Sequence, residues 1–459
     1  MATFRIKDYA APFQVLGFRR LMSSAPAWDR ERLAAWSESK RRALLLHAAS
    51  KVPFYRERLS DHAIDAKDSD VLSIWEHLPI LSKQDYLSAP ETFLSDDAER
   101  RGGFWASTSG STGMPFRIRL DANVNAAAFA LFWRAWNSGG AWKLGQRQAA
   151  MKDSTHVNGW RYNPLIRTLE LSASHVAEET VREFANLLHR YKPRLIRGYP
   201  SSLYIFCRLL EKHSIEVNVP VIISVAESLH DFQRKSIERT LSGRLYNHYT
   251  HWERAASILE CQHGSMHAQE DYSYHEIVDD DGKVLGPGRT GYIVGTSLHN
   301  YAMPMIRYFT GDVGIWSDRV CECGQSFPVV ERVMGRNSDF LVKQDGTLIS
   351  ATYAVSTFIY LDRIVYAQII QTSPGAVEFR VVPDKDFSMP EDLESAKAAL
   401  QKRLGEDMKI DARTCRVEEL ERSPVGKIRS CYTKVDVGKV LDNWPDNSSN
   451  VVGSDTVRG

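Results

Sequence analysis

Between Ser107 and Pro115 the chain reads Ser-Thr-Ser-Gly-Ser-Thr-Gly-Met-Pro, a run that side chains cannot pack and that backbone amides can wrap around an anion. Gly110 and Gly113 permit turns that aim successive N–H groups at one point, while Thr108, Ser109, Ser111 and Thr112 add hydroxyls able to touch phosphate or magnesium. The chemistry expected of such a loop is phosphate binding. A Walker loop does not fit, because the glycines stand three positions apart and no Lys-Ser/Thr follows. A flexible Ser/Gly linker is the alternative reading of this tract taken alone.

A second group of residues points to a metal. Cys321 and Cys323 bracket one residue in a turn that contains Gly324, and Cys261 and His267 lie in the segment Cys-Gln-His-Gly-Ser-Met-His. Three thiolates and one imidazole suit a closed tetrahedral zinc site, structural because four protein ligands leave no open position. His263 is the rival imidazole. Six cysteines in 459 residues, without a secretion signal, favour thiols or metal ligands over a disulfide framework.

These residues need a scaffold. A chain of 459 residues exceeds one core of ordinary size, so a large domain and a smaller one are expected. Hydrophobic content of 43%, charged content of 25% and a formal net charge of +1 describe a globular enzyme with no basic field for nucleic acid. No stretch approaches the ~18 apolar residues that span a bilayer, and residues 1–20 lack a secretion core. The expected location is the cytoplasm. Phe4, Phe13, Leu16 and Phe18 among Arg5, Lys7, Arg19 and Arg20 form either a packed N-terminal arm or a stretch resting on a membrane or partner.

Periodicity predicts helix from about Asp29 to Leu59, interrupted at Pro53. From Pro193 onward, short apolar runs alternate with amphipathic helices: Leu195–Tyr199, Ser202–Lys212, Val219–Val225, Ser228–Leu241 and Arg244–Tyr249. That alternation implies a parallel α/β sheet with right-handed crossovers. An antiparallel subdomain follows, with Glu276-Ile277-Val278 turning through Asp279–Lys283 and returning as Gly291–Gly295. Beyond Arg336 the pattern is that of a small α+β unit: strands Phe340–Val342, Leu348-Ile349, Tyr366–Gln371 and Val377–Val382, and a helix Glu391–Leu404. The expected architecture is therefore α/β: a large domain 1–337, a hinge at Ser338-Asp339, a small mobile domain 340–440, and a disordered polar tail 441–459.

The order of motifs then carries a resemblance. The loop at 107–115 is followed by Tyr246–Glu253, by Arg307-Tyr308-Phe309-Thr310-Gly311-Asp312, by Gly335–Asp339 and by Ser423-Pro424-Val425-Gly426-Lys427. In this order the chain, over about residues 30 to 435, resembles the adenylate-forming superfamily of acyl- and aryl-CoA synthetases. It is most similar to the phenylacetate–CoA ligase branch and its relatives found with capsular polysaccharide genes. Branch-specific echoes are Val52–Arg56, Leu78–Lys83, Glu260-Cys261 with His267, Met303–Tyr308 and Cys321–Gly324.

The resemblance implies ATP, magnesium and a carboxylic acid as reactants, with an acyl adenylate formed and passed to coenzyme A. It implies that Thr108–Gly113, with Thr112 among the reacting groups, holds the β- and γ-phosphates, and that Glu253 fixes magnesium. Asp312 would take both ribose hydroxyls, Arg336 the ribose or phosphate, Ala226, Glu227 and Tyr249 the adenine, and Lys427 the α-phosphate and substrate carboxylate. Acid-pocket residues are expected in Gly198–Ser201, Tyr249–Trp252 and around Trp160. Phe116 after Pro115, where a basic residue is often found, and Thr250 after Tyr249, where Gly is usual, depart from the family pattern. Thr250 implies a different acid, and the unusual His251 and Trp252 before Glu253 imply a pocket shaped differently from one for phenylacetate. An amine or a carrier-protein thiol is the alternative acceptor, a catalytically silent nucleotide-binding protein the alternative class, and a homodimer is left open.

Overall fold

The computed structural model of this chain describes residues 12–60, 71–107, 117–137, 142–143, 145–152, 159–176, 179–226, 229, 231–279, 281–334, 340–350, 354, 357, 361, 363–383, 386–416, 419–421, 431–435 and 451–452. It is a mixed α/β protein in two compact units, one of Met1–Thr108, Phe116–Leu144 and Tyr246–Gly335, the other of Ser109–Pro115, Gly145–Leu245 and Arg336–Gly459.

The first unit begins with α1 (Pro12–Ser24), α2 (Arg30–Lys51), α3 (Pro53–Arg58) and α4 (Lys83–Ser88). Asp29 caps α2 by accepting the Arg32 N–H at 2.7 Å. Pro53 does not merely interrupt that helix. Its fixed φ and missing N–H suit the first position of a new one, so α3 starts there. In the described part of the N-terminal stretch, α1 lies against α5 (Ala122–Trp136) and Phe18 sets its ring edge-on to His299 at 5.0 Å, while Leu16 is exposed; Phe4, Arg5 and Lys7 lie outside the described residues. Between α4 and α5 come the antiparallel strands β1 (Phe104–Ser107) and β2 (Arg117–Leu120). Ser107 pairs with Arg117, and the Ser/Gly residues 108–116 between them lie outside those described.

The second unit contains β3 (Gln148–Lys152), β4 (Trp160–Asn163), β5 (Thr168–Ser172), α6 (Val181–Tyr191), β6 (Leu195–Gly198), α7 (Pro200–Lys212), β7 (Val221–Val225) and α8 (Asp231–Leu241). Their sheet order is β7-β6-β3-β5-β4, parallel throughout except for β4, which pairs antiparallel with β5 at the edge. Helix α6 buries Val181, Phe184, Ala185 and Leu188, one face at helical spacing, in a core shared with Ile196, Phe206, Leu210 and Ile222.

The remaining strands of the first unit are β8 (Arg244–Thr250), β9 (Ser257–Glu260), β10 (Met266–Ala268), β11 (Ser273–Val278), β12 (Thr290–Ser297), β13 (Tyr308–Ser317) and β14 (Val329–Met334), in the order β11-β12-β13-β14-β10-β9-β8. The expected antiparallel hairpin is present as β11 and β12, with Glu276 opposite Val294.

C-terminal strands of the second unit are β15 (Phe340–Val342), β16 (Leu348–Ser350), β17 (Ile364–Ser373), β18 (Ala376–Pro383), then α9 (Glu391–Leu404), β19 (Lys409–Thr414), β20 (Cys431–Thr433) and β21 (Val451–Val452). They form two small sheets, β15-β16-β21 and β19-β18-β17-β20. Helix α9 buries Leu393, Ala396, Leu400 and Leu404 against Phe379 and Val381. Of the tail expected to lack structure, Val451 and Val452 pair in parallel with Leu348 and Ile349, a role for which β-branched residues are suited; its other residues lie outside those described.

Candidate functional site

Three of the sequence segments that set this chain apart meet inside the first unit. The Tyr55 and Tyr86 hydroxyls lie 3.1 Å apart, Tyr86 donates to the Pro304 carbonyl at 3.3 Å, and the Ile306 N–H donates to Tyr55 at 3.4 Å. Leu81 bridges to β13 through its N–H to the Arg307 carbonyl (3.0 Å) and through its carbonyl to the Phe309 N–H (2.8 Å). Arg307 is the anchor of this turn. It is 3% exposed, has a left-handed φ of 49°, and spends its guanidinium on Glu276 (3.1 Å) and the Leu78 carbonyl (2.7 Å). Burial raises the Glu276 pKa, with Arg307 opposing that rise. The buried pair fixes where Tyr308 and the residues after it begin.

From that anchor β13 carries Asp312 to a cluster of polar side chains. The Asp312 N–H donates to the Thr310 hydroxyl (3.1 Å), which in turn donates to the Ile293 carbonyl (2.7 Å), and Gly311 supplies the φ of +79° between them. Strand alternation places Tyr249 and His251 on one face at the end of β8. A turn closed by the Arg254 N–H to the His251 carbonyl (3.2 Å) brings Glu253 back toward the same place. Asp312 Oδ2 accepts from the Tyr249 hydroxyl at 3.0 Å and lies 3.3 Å from His251 Nε2. On the imidazole's other side, Nδ1 lies 3.9 Å from Glu253 Oε2, and the Tyr308 hydroxyl donates to Glu253 Oε1 at 3.4 Å. The side chains of His251, Glu253 and Asp312 are 10, 12 and 11% exposed, enclosed yet reachable from solvent. Two carboxylates joined through one imidazole can accept hydrogen bonds from a diol at one end and hold a hard cation at the other.

The sulfur cluster is built differently. Cys261 follows β9 and His267 lies on β10, so the turn between these strands presents both; the Cys321–Gly324 turn between β13 and β14 supplies the other two. Left-handed Gly264 and Gly324 close the two turns, donating to the Cys261 carbonyl (3.0 Å) and the Cys321 carbonyl (3.3 Å). The four ligand atoms all lie within 4.8 Å of one another. The Cys261 and Cys321 sulfurs are 3.7 Å apart, and two sulfurs bound tetrahedrally to one zinc ion at about 2.3 Å stand about 3.8 Å apart. His267 Nδ1 is 3.0 Å from the Phe327 carbonyl, to which it donates, leaving Nε2 toward the sulfurs at 3.3 Å from Cys323. Burial pushes the Cys321 thiol up, but hydrogen bonds, first from Ser265, outweigh it and hold the thiol below its ordinary value; burial pushes Cys323 up to about 12. The rival His263 is not among these four; its ring lies 3.6 Å from Glu322.

Of the residues expected to bind nucleotide, Tyr249 and Asp312 are brought into contact, and Glu253 joins them through His251. Ala226 directly follows β7 in the second unit, with a left-handed φ of 70°. Thr108, Ser109, Gly110, Ser111, Thr112, Gly113, Glu227, Arg336 and Lys427 lie outside the described residues, as do Ser338 and Asp339. Sequence reasoning did not single out His251 or Tyr308 as partners of the carboxylates. The signal for His251 was its two-residue spacing from Tyr249, just past the end of β8.

A family model described as the CapK C-terminal domain matches residues 341–434. The phenylacetate-coenzyme A ligase of Thermus thermophilus is 24% identical over 360 residues, covering 76% of this chain and 80% of that protein. Protein CapK of Staphylococcus aureus is 22% identical over 392 residues, covering 83% of this chain and 85% of that protein. Among solved structures, 2-hydroxyisobutyryl-CoA ligase in complex with 2-HIB-AMP and CoA superposes with a TM-score of 0.63 at 18% identity, over 92% of this chain and 93% of the other. The fold is that of the adenylate-forming enzymes. In sequence this chain is similar to phenylacetate–CoA ligases and to CapK over most of its length, and residues 341–434 match the CapK C-terminal domain.

Proposed function

We propose that the protein is an AMP-forming acid–CoA ligase that activates a carboxylic acid with ATP, releases pyrophosphate, and transfers the acyl group from the adenylate to coenzyme A. The observation that supports this most is the Tyr249–Asp312–His251–Glu253 cluster, at the positions where the family resemblance expects ribose and magnesium. Asp312 accepts the ribose hydroxyls while Tyr249 and His251 keep its carboxylate from turning away. Glu253, an oxygen donor with 12% of its side chain exposed, is suited to a hard cation. Magnesium there would neutralise phosphate charge as the carboxylate attacks and pyrophosphate leaves.

In this reading Thr108–Gly113 cradles the outer phosphates, Thr112 contributes its hydroxyl, and Arg336 meets ribose or phosphate. Ala226 and Glu227 flank the adenine. The small domain 340–440 turns about Ser338-Asp339 and carries Lys427 to the α-phosphate for the first half-reaction, then removes it for the second. Lys427→Ala is expected to abolish adenylate formation while sparing thiolysis of a supplied acyl adenylate; equal loss in both would contradict this role. We also propose a structural zinc ion on Cys261, His267, Cys321 and Cys323, because all four protein ligands are used and none is left for substrate.

ATP–pyrophosphate exchange across a panel of carboxylic acids tests the reading. Exchange with some acid, followed by thioester formation on adding coenzyme A, is the expected result. Exchange with transfer to an amine or to a carrier thiol instead would replace the acceptor, and no exchange with any acid would overturn the activity.

A further inference from the structure

One end of the second unit has a surface that no part of the proposed reaction uses. The β4–β5 turn projects Leu165 at 89% exposure and Ile166 at 48%, beside Tyr162 at 43%. These side chains are held out. The Asn163 carboxamide oxygen accepts the Leu165 and Ile166 N–H groups at 3.1 and 3.4 Å, and the Ile166 carbonyl takes the Thr168 hydroxyl at 3.2 Å, so the turn cannot easily fold its apolar residues inward.

Cations surround that tip. Tyr191 at the end of α6 meets the Tyr162 ring at 5.4 Å, lies under the Arg147 guanidinium at 5.7 Å and donates its hydroxyl to the Arg167 carbonyl. These contacts bring Arg147 and Arg167 to Tyr191, whose chain neighbours are Arg190 and Lys192, and all four cations are exposed. Among the described residues none of the four forms an ion pair with a carboxylate. The hairpin's own acid, Glu170, is taken by Arg161 at 2.7 Å and Lys152 at 3.3 Å. Glu216 is exposed nearby, its carbonyl taken by His189, and the rim stays net positive.

The register places this end at the start of the parallel strands, where Gln148 lies beside Thr168 and Leu195. Sheets of this kind bind small ligands beyond the opposite, carboxyl ends of their strands. Two apolar side chains fixed at a turn, within a rim of cations, match a surface that is anionic outside and apolar beneath. A nucleic acid would use the cations and leave the aliphatic tip in water. A second copy joined tip to tip would bring four cations against four.

We infer that the β4–β5 turn and its cationic rim are a docking surface for an anionic lipid bilayer. This inference is independent of the reaction catalysed. The test is co-sedimentation of the full chain with vesicles of phosphatidylcholine alone and of phosphatidylcholine with about one third phosphatidylglycerol. Binding to the anionic vesicles is expected, weakening with added salt and absent from neutral ones. Arg190→Glu with Lys192→Glu should weaken it by more than roughly fivefold per position, and Leu165→Ser with Ile166→Ser by about tenfold. These side chains are exposed, so unchanged thermal unfolding of each variant verifies its fold. Absence of binding to anionic vesicles, or binding that both variants retain, overturns the inference. A native dimer by sedimentation velocity that the Leu165→Ser/Ile166→Ser variant converts to monomer, without vesicle binding, assigns the surface to a second copy instead.

Discussion

Two clusters in the first unit's antiparallel sheet treat their polar atoms in opposite ways. Around Cys261, His267, Cys321 and Cys323 the donors are soft, closely spaced and fixed by two glycine turns, with the outer nitrogen of the imidazole already bound to a carbonyl. Around Asp312, His251 and Glu253 the donors are hard and the contacts looser, 3.3 and 3.9 Å across the imidazole, with each side chain reachable from solvent. A set of donors that satisfies one ion completely has nothing left for chemistry. Donors that satisfy one another incompletely can release a contact to a substrate and resume it afterwards. If the first cluster holds its ion and the second its nucleotide, as proposed, the two should respond differently to mutation.

The largest difference should come from the sulfur cluster. Cys261→Ser or Cys321→Ser is expected to remove zinc from the purified protein by elemental analysis and to cost more than about 4 kcal/mol of stability in denaturant unfolding, the range seen when a structural metal is lost. Protein that contains no zinc natively and whose four side chains alkylate freely would end the comparison. Glu253→Gln should do the reverse, leaving unfolding nearly unchanged while lowering the ATP–pyrophosphate exchange rate by about 10²–10³-fold. An equal loss of stability would place Glu253 among structural residues.

Acid should distinguish the first unit further. Burial holds His248, His275 and His299 neutral in the folded chain, with pKa values lowered to about 3, 3 and 4, whereas unfolded histidines take protons below 6.5. The unfolded chain thus binds more protons as pH falls through 6.5, and folded stability declines. Glu270 works against this, since burial raises it to about 7 and the folded chain holds its proton down to the ordinary value of 4.5. Burial also lowers His47 and raises Glu276 and Asp121, so histidines and carboxyls partly offset one another. The histidines should prevail, with stability declining from pH 7 to 5, measured by urea unfolding. A flat profile from pH 7 to 5 would contradict this balance. His251→Gln is the mildest expected change. It should raise KM for ATP by about tenfold with a smaller effect on kcat, because it loosens Asp312 without removing it.

The strand–helix alternation from Pro193 was legible because each buried face has its own period, and helix Glu391–Leu404 was found with its observed ends because acids begin it and Gly405 stops it. The Cys/His cluster was legible from residue type and spacing. What separates His267 from His263 is visible only in the fold: His267, on β10, lies with the three cysteines, while His263, in the turn before it, stands beside Glu322. Pro53 was read as a break, because a proline's effect on the helix before it is easier to see than the one it starts. The carboxylate cluster was half legible: Asp312 and Glu253 stand in ordered motifs, but their link through His251 joins positions 61 residues apart and needs the sheet to exist. The exposed Leu165 and Ile166 had no signal in the sequence, where an apolar pair in a turn looks like any buried one.

The central claim is that Asp312 receives the ribose of a bound nucleotide. Calorimetric titration with a non-hydrolysable acyl-adenylate analogue and its 2′,3′-dideoxy counterpart tests it directly. The native protein should favour the intact ribose by about tenfold or more, and Asp312→Asn should lose most of that preference while binding the dideoxy form as the native protein does. A preference for intact ribose that survives Asp312→Asn undiminished would contradict the account.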